Sequence, residues 1–146
     1  VMENGEVIYT REEAFGGEHL NQIIQSTYDM SVDEAERVKL RGELPSSAAL
    51  EVLAPFQTEF LQLARRSLQL FYTTSGHDEL DALLLTGGSA MVEGLPETLT
   101  EELGYQVLVA DVFAGMKVGA DVNKRDFERY NAALAIATGL AQRSFG

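Results

Sequence analysis

The chain has 146 residues, of which 11 are Lys or Arg and 23 are Asp or Glu, so its formal net charge is −12. A length of this order suits one domain or two small lobes. The sequence contains no cysteine, which excludes a disulfide scaffold, a zinc–thiolate site and a thiol nucleophile. The negative charge disfavours nucleic acid as a partner, and the two histidines, His19 and His77, have no ligands at metal spacing, so no metal site is predicted.

The N-terminal segment predicts a β-hairpin. Asn4-Gly5 favours a type I′ turn, because both central residues of that turn need positive φ. Val7 to Thr10 has the composition of a strand. Only Val1 to Glu3 precede the turn, and the first residue is not methionine. We therefore expect the natural protein to continue upstream, with this chain truncated at its N-terminus.

Three helices are predicted next. The first follows Gly16-Gly17 and carries apolar residues at helical spacing, namely Leu20, Ile23, Ile24 and Tyr28. The second begins at Ser31, which forms a capping box with Glu34, and ends at Gly42. The third runs from Ala48 to Thr74, with Pro55 as a kink or as its true start. Its wide apolar face consists of Leu53, Phe56, Phe60, Leu63, Ala64, Leu68 and Phe71.

The second half of the chain predicts a βαβ unit followed by a helix. Asp81 to Thr86 is a short apolar run of the kind that is buried on both faces of a sheet. A helix over Glu93 to Leu103 and a strand over Tyr105 to Ala110 follow. A last helix is predicted from Asp126 to Arg143, with an inward face made of Tyr130, Ala133, Leu134, Ala137 and Leu140.

This order of elements predicts an α/β lobe with a helical insertion. We assign residues 1–20 and 77–146 to the sheet-containing lobe and residues 21–76 to the helical insertion subdomain. The longest apolar stretches are far shorter than the roughly 20 residues that a membrane-spanning helix needs, and no signal peptide is visible, so we expect a cytoplasmic protein.

Three short motifs are candidates for a ligand site. Gly87, Gly88 and Ser89 follow a strand of an α/β sheet, where ligands bind and where glycine permits close approach, although the motif alone favours a plain tight turn. Glu36 and Lys39 lie three residues apart on one helix face, and spacing alone favours a surface ion pair. Gly16 and Gly17 precede a helix, either as a cap or as an anion site.

Taken in order, the motifs resemble the second half of an actin-like ATPase, and most closely the PilM family of type IV pilus assembly proteins. The phrases that carry the resemblance to the superfamily are Phe15 to Leu20, Ala35 to Lys39, Leu83 to Ala90 and Ala137 to Ala141. Those that carry the resemblance to PilM are Ile8 to Glu12, Met30 to Glu36, Val52 to Phe56, Phe113 to Met116 and Gly139 to Phe145. The fold implied is an actin-like, ribonuclease-H-like lobe.

The resemblance implies a role for each motif in binding ATP. Gly87, Gly88 and Ser89 match the adenosine motif, whose backbone packs against base and ribose. Glu36 and Lys39 match a pair that contacts ribose and adenine. The resemblance therefore favours a ligand-binding pair over the surface ion pair that spacing alone favours. Gly16 and Gly17 match the pair that opens a helix near the nucleotide. The expected cofactor is therefore ATP, with magnesium supplied together with the nucleotide.

The resemblance also implies a nucleotide-binding scaffold of the pilus inner-membrane platform rather than an enzyme. The superfamily's two phosphate loops would lie upstream of Val1, so we expect no catalysis by this chain; the question of weak ATPase activity in the complete protein stays open. The implied partners are the cytoplasmic tail of PilN and other platform proteins, which would hold the protein at the inner membrane. The alternatives are an FtsA-like division protein, a type II secretion platform protein, or a protein-binding module that has lost nucleotide binding.

Overall fold

The Asn4-Gly5 turn forms the predicted hairpin. In the computed structural model, which describes residues 1–117, 119, 121–123, 127 and 130–143, β1 (Met2–Glu3) pairs antiparallel with β2 (Glu6–Val7). Asn4 and Gly5 have φ values of 52° and 85°, as a type I′ turn requires. The predicted strand over residues 7–10 was too long: beyond β2 the amides of Ile8 and Tyr9 both donate to the carbonyl of Val1, which ends the regular ladder.

The first two helices form as predicted and pack against each other. α1 spans Gly17–Tyr28 and buries Leu20 and Ile24. α2 spans Val32–Arg41 and buries Ala35 completely. The capping box at its start is confirmed, because the Ser31 hydroxyl accepts from the main-chain amide of Glu34 while the Glu34 carboxylate accepts from the main-chain amide of Ser31. Gly42 ends α2 in the left-handed conformation.

The third predicted helix begins with a π-helical turn. Ala49–Leu53 is π-helical and α3 follows over Ala54–Ser75. The irregularity lies next to Pro55, which has no amide hydrogen to donate to the preceding turn. The amide of Ala54 donates to the carbonyl of Ala49, five residues earlier, as in a π-helix. Of the predicted apolar face, Phe56 and Phe71 are fully buried, and the other residues are half-buried.

The βαβ unit is present, with one correction. β3 (Ala82–Leu85) and β4 (Gln106–Val109) pair in parallel with Leu84 beside Leu108, and α4 (Leu95–Leu103) connects them. The prediction that the first strand is buried on both faces was wrong, because Leu84 is 66% exposed. Leu83 and Leu85 point to the more buried face, and the described residues do not cover the opposite one.

The last predicted helix is interrupted at residues 131–134 and does not present the predicted inward face. A 3₁₀ turn over Ala132–Leu134 leads into α5 (Ala135–Arg143); the predicted start at Asp126 lies outside the described residues. Of the segment from 130 to 143, Ala132 is buried, whereas the predicted inward residues Tyr130, Ala133, Leu134, Ala137 and Leu140 are all exposed. The apolar spacing predicted a buried helix face, but no part of the chain that the structure describes packs against that face.

The chain divides into two compact units, Val1–Leu80 and Asp81–Gly146. The first contains the hairpin and α1 to α3, and the second contains β3, α4, β4 and α5. The assignment of residues 1–20 to a lobe with residues 77–146 stays a prediction. Among the helices that the structure describes, none combines the length and the apolar character needed to cross a bilayer.

Candidate functional site

The predicted site residues fall into one group in each unit. Gly16, Gly17, Glu36 and Lys39 belong to the first unit, where they lie at the start of α1 and on the facing side of α2. The loop of Gly87, Gly88 and Ser89 follows β3 in the second unit.

The start of α1 is joined to α2 through the side chain of Lys39. Gly16 is the N-cap residue and Gly17 is the first residue of the helix. The Lys39 ammonium donates to the main-chain carbonyl of Gly17, with Nζ 3.2 Å from the oxygen. A Cβ placed on Gly17 would lie 3.5 Å from the same nitrogen, which is ordinary contact. The contact with the ammonium therefore does not itself require glycine at this position.

Glu36 and Lys39 form a partly buried ion pair, in which the Glu36 side chain remains 42% exposed. Lys39 Nζ is 2.6 Å from Glu36 Oε2, and the Lys39 side chain is only 18% exposed. The hydrogen bond from Lys39 lowers the pKa of the Glu36 carboxyl, and a second hydrogen bond from Asn21 lowers it further, against the opposing effect of burial. Glu36 is thus held ionised at neutral pH, with both donors on the same oxygen.

Asn21 completes this cluster, and the sequence analysis missed it. Its side-chain amide donates from Nδ2 to Glu36 Oε2, and the residue is 4% exposed on the buried face of α1. Its Oδ1 is buried and has no hydrogen-bond partner among the described residues. One signal was available, because Asn21 lies four residues after Gly17 and three before Ile24, which places a polar residue on the apolar face of the helix.

The loop after β3 is held in a conformation that only glycine adopts readily. Gly87 has φ 89° and ψ 173°. Its amide donates to the carbonyl of Ala132 over 2.8 Å, and the Thr86 hydroxyl donates to the same carbonyl over 3.2 Å. A 3₁₀ turn over Gly88–Met91 follows. The tight-turn interpretation therefore accounts for Gly87.

Gly88 is not explained by the turn. Its φ is outside the left-handed region, and a Cβ built on it would meet nothing within 4 Å. The residue is exposed, next to the half-buried Ser89. Open space beside an exposed main chain, at the carboxyl end of a strand, is where α/β folds place ligands.

Asn131 holds the segment after β4, at the carboxyl end of the strands of the second unit. Its Oδ1 accepts from the Val112 amide over 2.7 Å, and its Nδ2 donates to Asp111 Oδ1 over 2.6 Å. The segment that begins at Asn131 thereby contacts the chain after β4, while Ala132 contacts the chain after β3. Asn131 was also missed, because its partners are about twenty residues away along the chain.

Neither group has the composition of a metal site. In the part of the chain that the structure describes, no three His, Asp or Glu side chains lie close enough together to hold an ion. Magnesium supplied with the nucleotide stays a prediction of the resemblance. The cluster of Gly17, Asn21, Glu36 and Lys39 offers a different chemistry. It holds the Glu36 carboxylate beside the Lys39 ammonium, with both hydrogen bonds on Glu36 Oε2.

Comparison with known proteins identifies the family and the fold. The model of a family described as type IV pilus assembly protein PilM matches residues 1–145. A chain of the solved PilM-PilN type IV pilus biogenesis complex is similar, with a TM-score of 0.72 and 23% identity, over 88% of this chain and 37% of that one. The ethanolamine utilization protein EutJ from Carboxydothermus hydrogenoformans gives a TM-score of 0.64 and 21% identity, over 96% of this chain and 42% of its own. These likenesses confirm the predicted actin-like ATPase fold; the chain spans less than half of either structure.

Proposed function

The chain belongs to the family of type IV pilus assembly protein PilM, and on that basis we propose that it forms the adenosine-binding part of an ATP-dependent scaffold in the pilus assembly platform. The observation that carries the proposal is the cluster of Gly17, Asn21, Glu36 and Lys39, which holds a carboxylate and an ammonium ready for a polar ligand. These groups lie on two helices, so their geometry is fixed by the fold.

The chemistry of the cluster suits the sugar of a nucleotide. An ionised carboxylate accepts hydrogen bonds from hydroxyl groups, and bonds of this charge-assisted kind are about twice as strong as neutral ones. Glu36 Oε2 is already occupied by Lys39 and Asn21, so Oε1 is the atom available to a ribose hydroxyl. Lys39 keeps the carboxylate ionised and carries donors of its own.

The loop after β3 suits the flat surface of a base. Exposed main chain without a Cβ at Gly88 allows close approach of a planar group. We propose that Gly87, Gly88 and Ser89 offer main-chain contacts to a base, with Gly87 fixing the conformation of the loop.

We further propose that ATP acts as a switch rather than as a substrate turned over by this chain. Binding would favour one arrangement of the complete protein, and the surface offered to partners would change with it. The proposed partner is the cytoplasmic tail of PilN, which is supported by the similar structure being a PilM-PilN complex. Attachment through PilN would place the protein at the cytoplasmic face of the inner membrane.

The test is calorimetric titration of Mg-ATP into the complete natural protein, with Lys39→Ala beside the unchanged sequence. We expect the variant to bind about tenfold more weakly, which corresponds to about 1.4 kcal/mol. Arg41→Ala is the matched control, because Arg41 lies on the same helix and its nearest paired oxygen, on Glu43, is 4.0 Å away. It should leave affinity for ATP unchanged.

Two outcomes would contradict the proposal. If the unchanged protein binds no ATP, the fold serves as an interaction surface alone, and titration with the PilN tail becomes the relevant measurement. If ATP binds and Lys39→Ala has the same affinity as Arg41→Ala, the nucleotide lies away from the α1–α2 cluster.

A further inference from the structure

Asn21 has a buried polar side chain whose position calls for an explanation. It lies on the face of α1 that also buries Leu20 and Ile24. Its Nδ2 bonds to Glu36 Oε2, whereas its Oδ1 is enclosed without a partner in the described residues. An unpartnered buried acceptor destabilises a fold, and a leucine of similar size would avoid that cost. The amide is therefore best explained by the bond that its nitrogen makes.

The direction of the amide follows from electrostatics. Glu36 is ionised, since the Lys39 ammonium and the Asn21 amide both donate to it. Turning the Asn21 amide over would put Oδ1 against a negatively charged oxygen, which is repulsive. Nδ2 must face Glu36, and the side chain can act only as a donor towards that carboxylate.

The two donors together determine which carboxylate oxygen is free. Lys39 reaches Glu36 from the next turn of the same helix, and Asn21 reaches it from α1. Both bonds end on Oε2, which leaves Oε1 without a partner among the described residues. Lys39 alone would not fix the carboxylate, because an ammonium is a compact charge that can follow either oxygen. The bond from α1 supplies the second fixed point.

We propose that Asn21 is a positioning residue that orients the Glu36 carboxylate so that Oε1 faces a ribose hydroxyl. This inference rests on the proposed nucleotide site. Asn21 itself makes no contact with the nucleotide; it acts through Glu36. Without it, the carboxylate rotates about its terminal bond and the recognition of the sugar weakens, while contacts to the base and phosphates remain.

The test compares two nucleotides that differ only at the sugar. Affinities for ATP and for 2′,3′-dideoxy-ATP are measured by calorimetry on the complete protein, for the unchanged sequence and for Asn21→Leu. We expect the unchanged protein to prefer ATP by about tenfold, the effect of one or two hydrogen bonds. In Asn21→Leu the preference should fall close to one, through weaker binding of ATP alone.

Two further variants separate positioning from stability. Ile24→Val removes one methyl group from a fully buried residue of the same helix and leaves the Asn21 amide in place, so it should keep the preference for ATP. Asn21→Ser is used if Asn21→Leu does not fold, and it should lose the preference because serine is too short to reach Glu36.

Each result decides the inference. Equal loss of affinity for both nucleotides in Asn21→Leu, or an unchanged preference, overturns it while the proposed nucleotide site stands. No discrimination by the unchanged protein overturns it as well. If the unchanged protein binds neither nucleotide, the proposed function fails and the inference fails with it.

Discussion

Substituting alanine at Gly87 or at Gly88 should have opposite consequences, although the two residues are adjacent. Gly87 has φ 89° and ψ 173°, a region that residues with a Cβ avoid because of clashes with their own main chain. Holding an ordinary residue there costs about 1–3 kcal/mol. A Cβ on Gly87 would meet no other atom within 4 Å, so the whole cost is backbone strain and does not include packing.

Gly88 provides the matched comparison. Its φ is one that alanine adopts, and its Cβ would also enter open space. An alanine at such a position stabilises a protein by about 0.4–1 kcal/mol, because it restricts the unfolded chain. We therefore expect Gly87→Ala to lower the free energy of unfolding and Gly88→Ala to leave it unchanged or raise it slightly.

The binding of ATP should be sensitive to Gly88→Ala even though that variant is stable. If the nucleoside packs on the main chain at Gly88, a methyl group there occupies the ligand's space and weakens binding without loss of stability. Urea titration and calorimetry of both variants give the two quantities on the same samples. Equal destabilisation by the two substitutions would refute the conformational argument, and full affinity for ATP in Gly88→Ala would refute the assignment of the loop to the ligand.

Two further predictions concern α2. Ser31→Ala should lower the free energy of unfolding by about 1 kcal/mol, because the Glu34 amide loses the hydroxyl that caps the helix; urea titration beside the exposed Ser46→Ala measures this, and equal values for the two variants would contradict it. The lowered pKa of Glu36 predicts that its contribution to stability is complete above its ordinary value of 4.5 and is lost as the pH falls through the lower value of the folded state. The difference in melting temperature between the unchanged protein and Glu36→Gln should therefore shrink below pH 4.5, and a difference that stays constant across that range would contradict the assignment.

The features that the sequence predicted correctly depend on residues close together in the chain. The Asn4-Gly5 turn and the Ser31 and Glu34 capping box each involve partners at most three residues apart, and both are present. The spacing of Glu36 and Lys39 correctly placed the two side chains together. Local chemistry of this kind fixes local geometry whatever the rest of the fold does.

The contacts that the sequence could not predict join residues far apart. Asn21 bonds to Glu36 across fifteen positions, and the Thr86 hydroxyl bonds to the carbonyl of Ala132 across forty-six. No periodicity links such pairs, because they meet only through the packing of whole elements. Burial was misjudged for a related reason: the apolar residues Leu84 and Leu140 follow strand and helix patterns, but a pattern does not show which surface covers it.

The charge of the chain is consistent with a site for the nucleoside end of ATP. A net charge of −12 opposes the approach of phosphate groups within a Debye length of about 8 Å at physiological ionic strength, so a phosphate site would need an excess of cations. The α1–α2 cluster has no such excess, because Lys39 is balanced by Glu36 at 2.6 Å. Ribose carries no charge, and the proposed hydrogen bonds to it from the balanced pair would not require an excess of cations. This balance of charge agrees with the proposal that the α1–α2 cluster binds a sugar rather than a phosphate group.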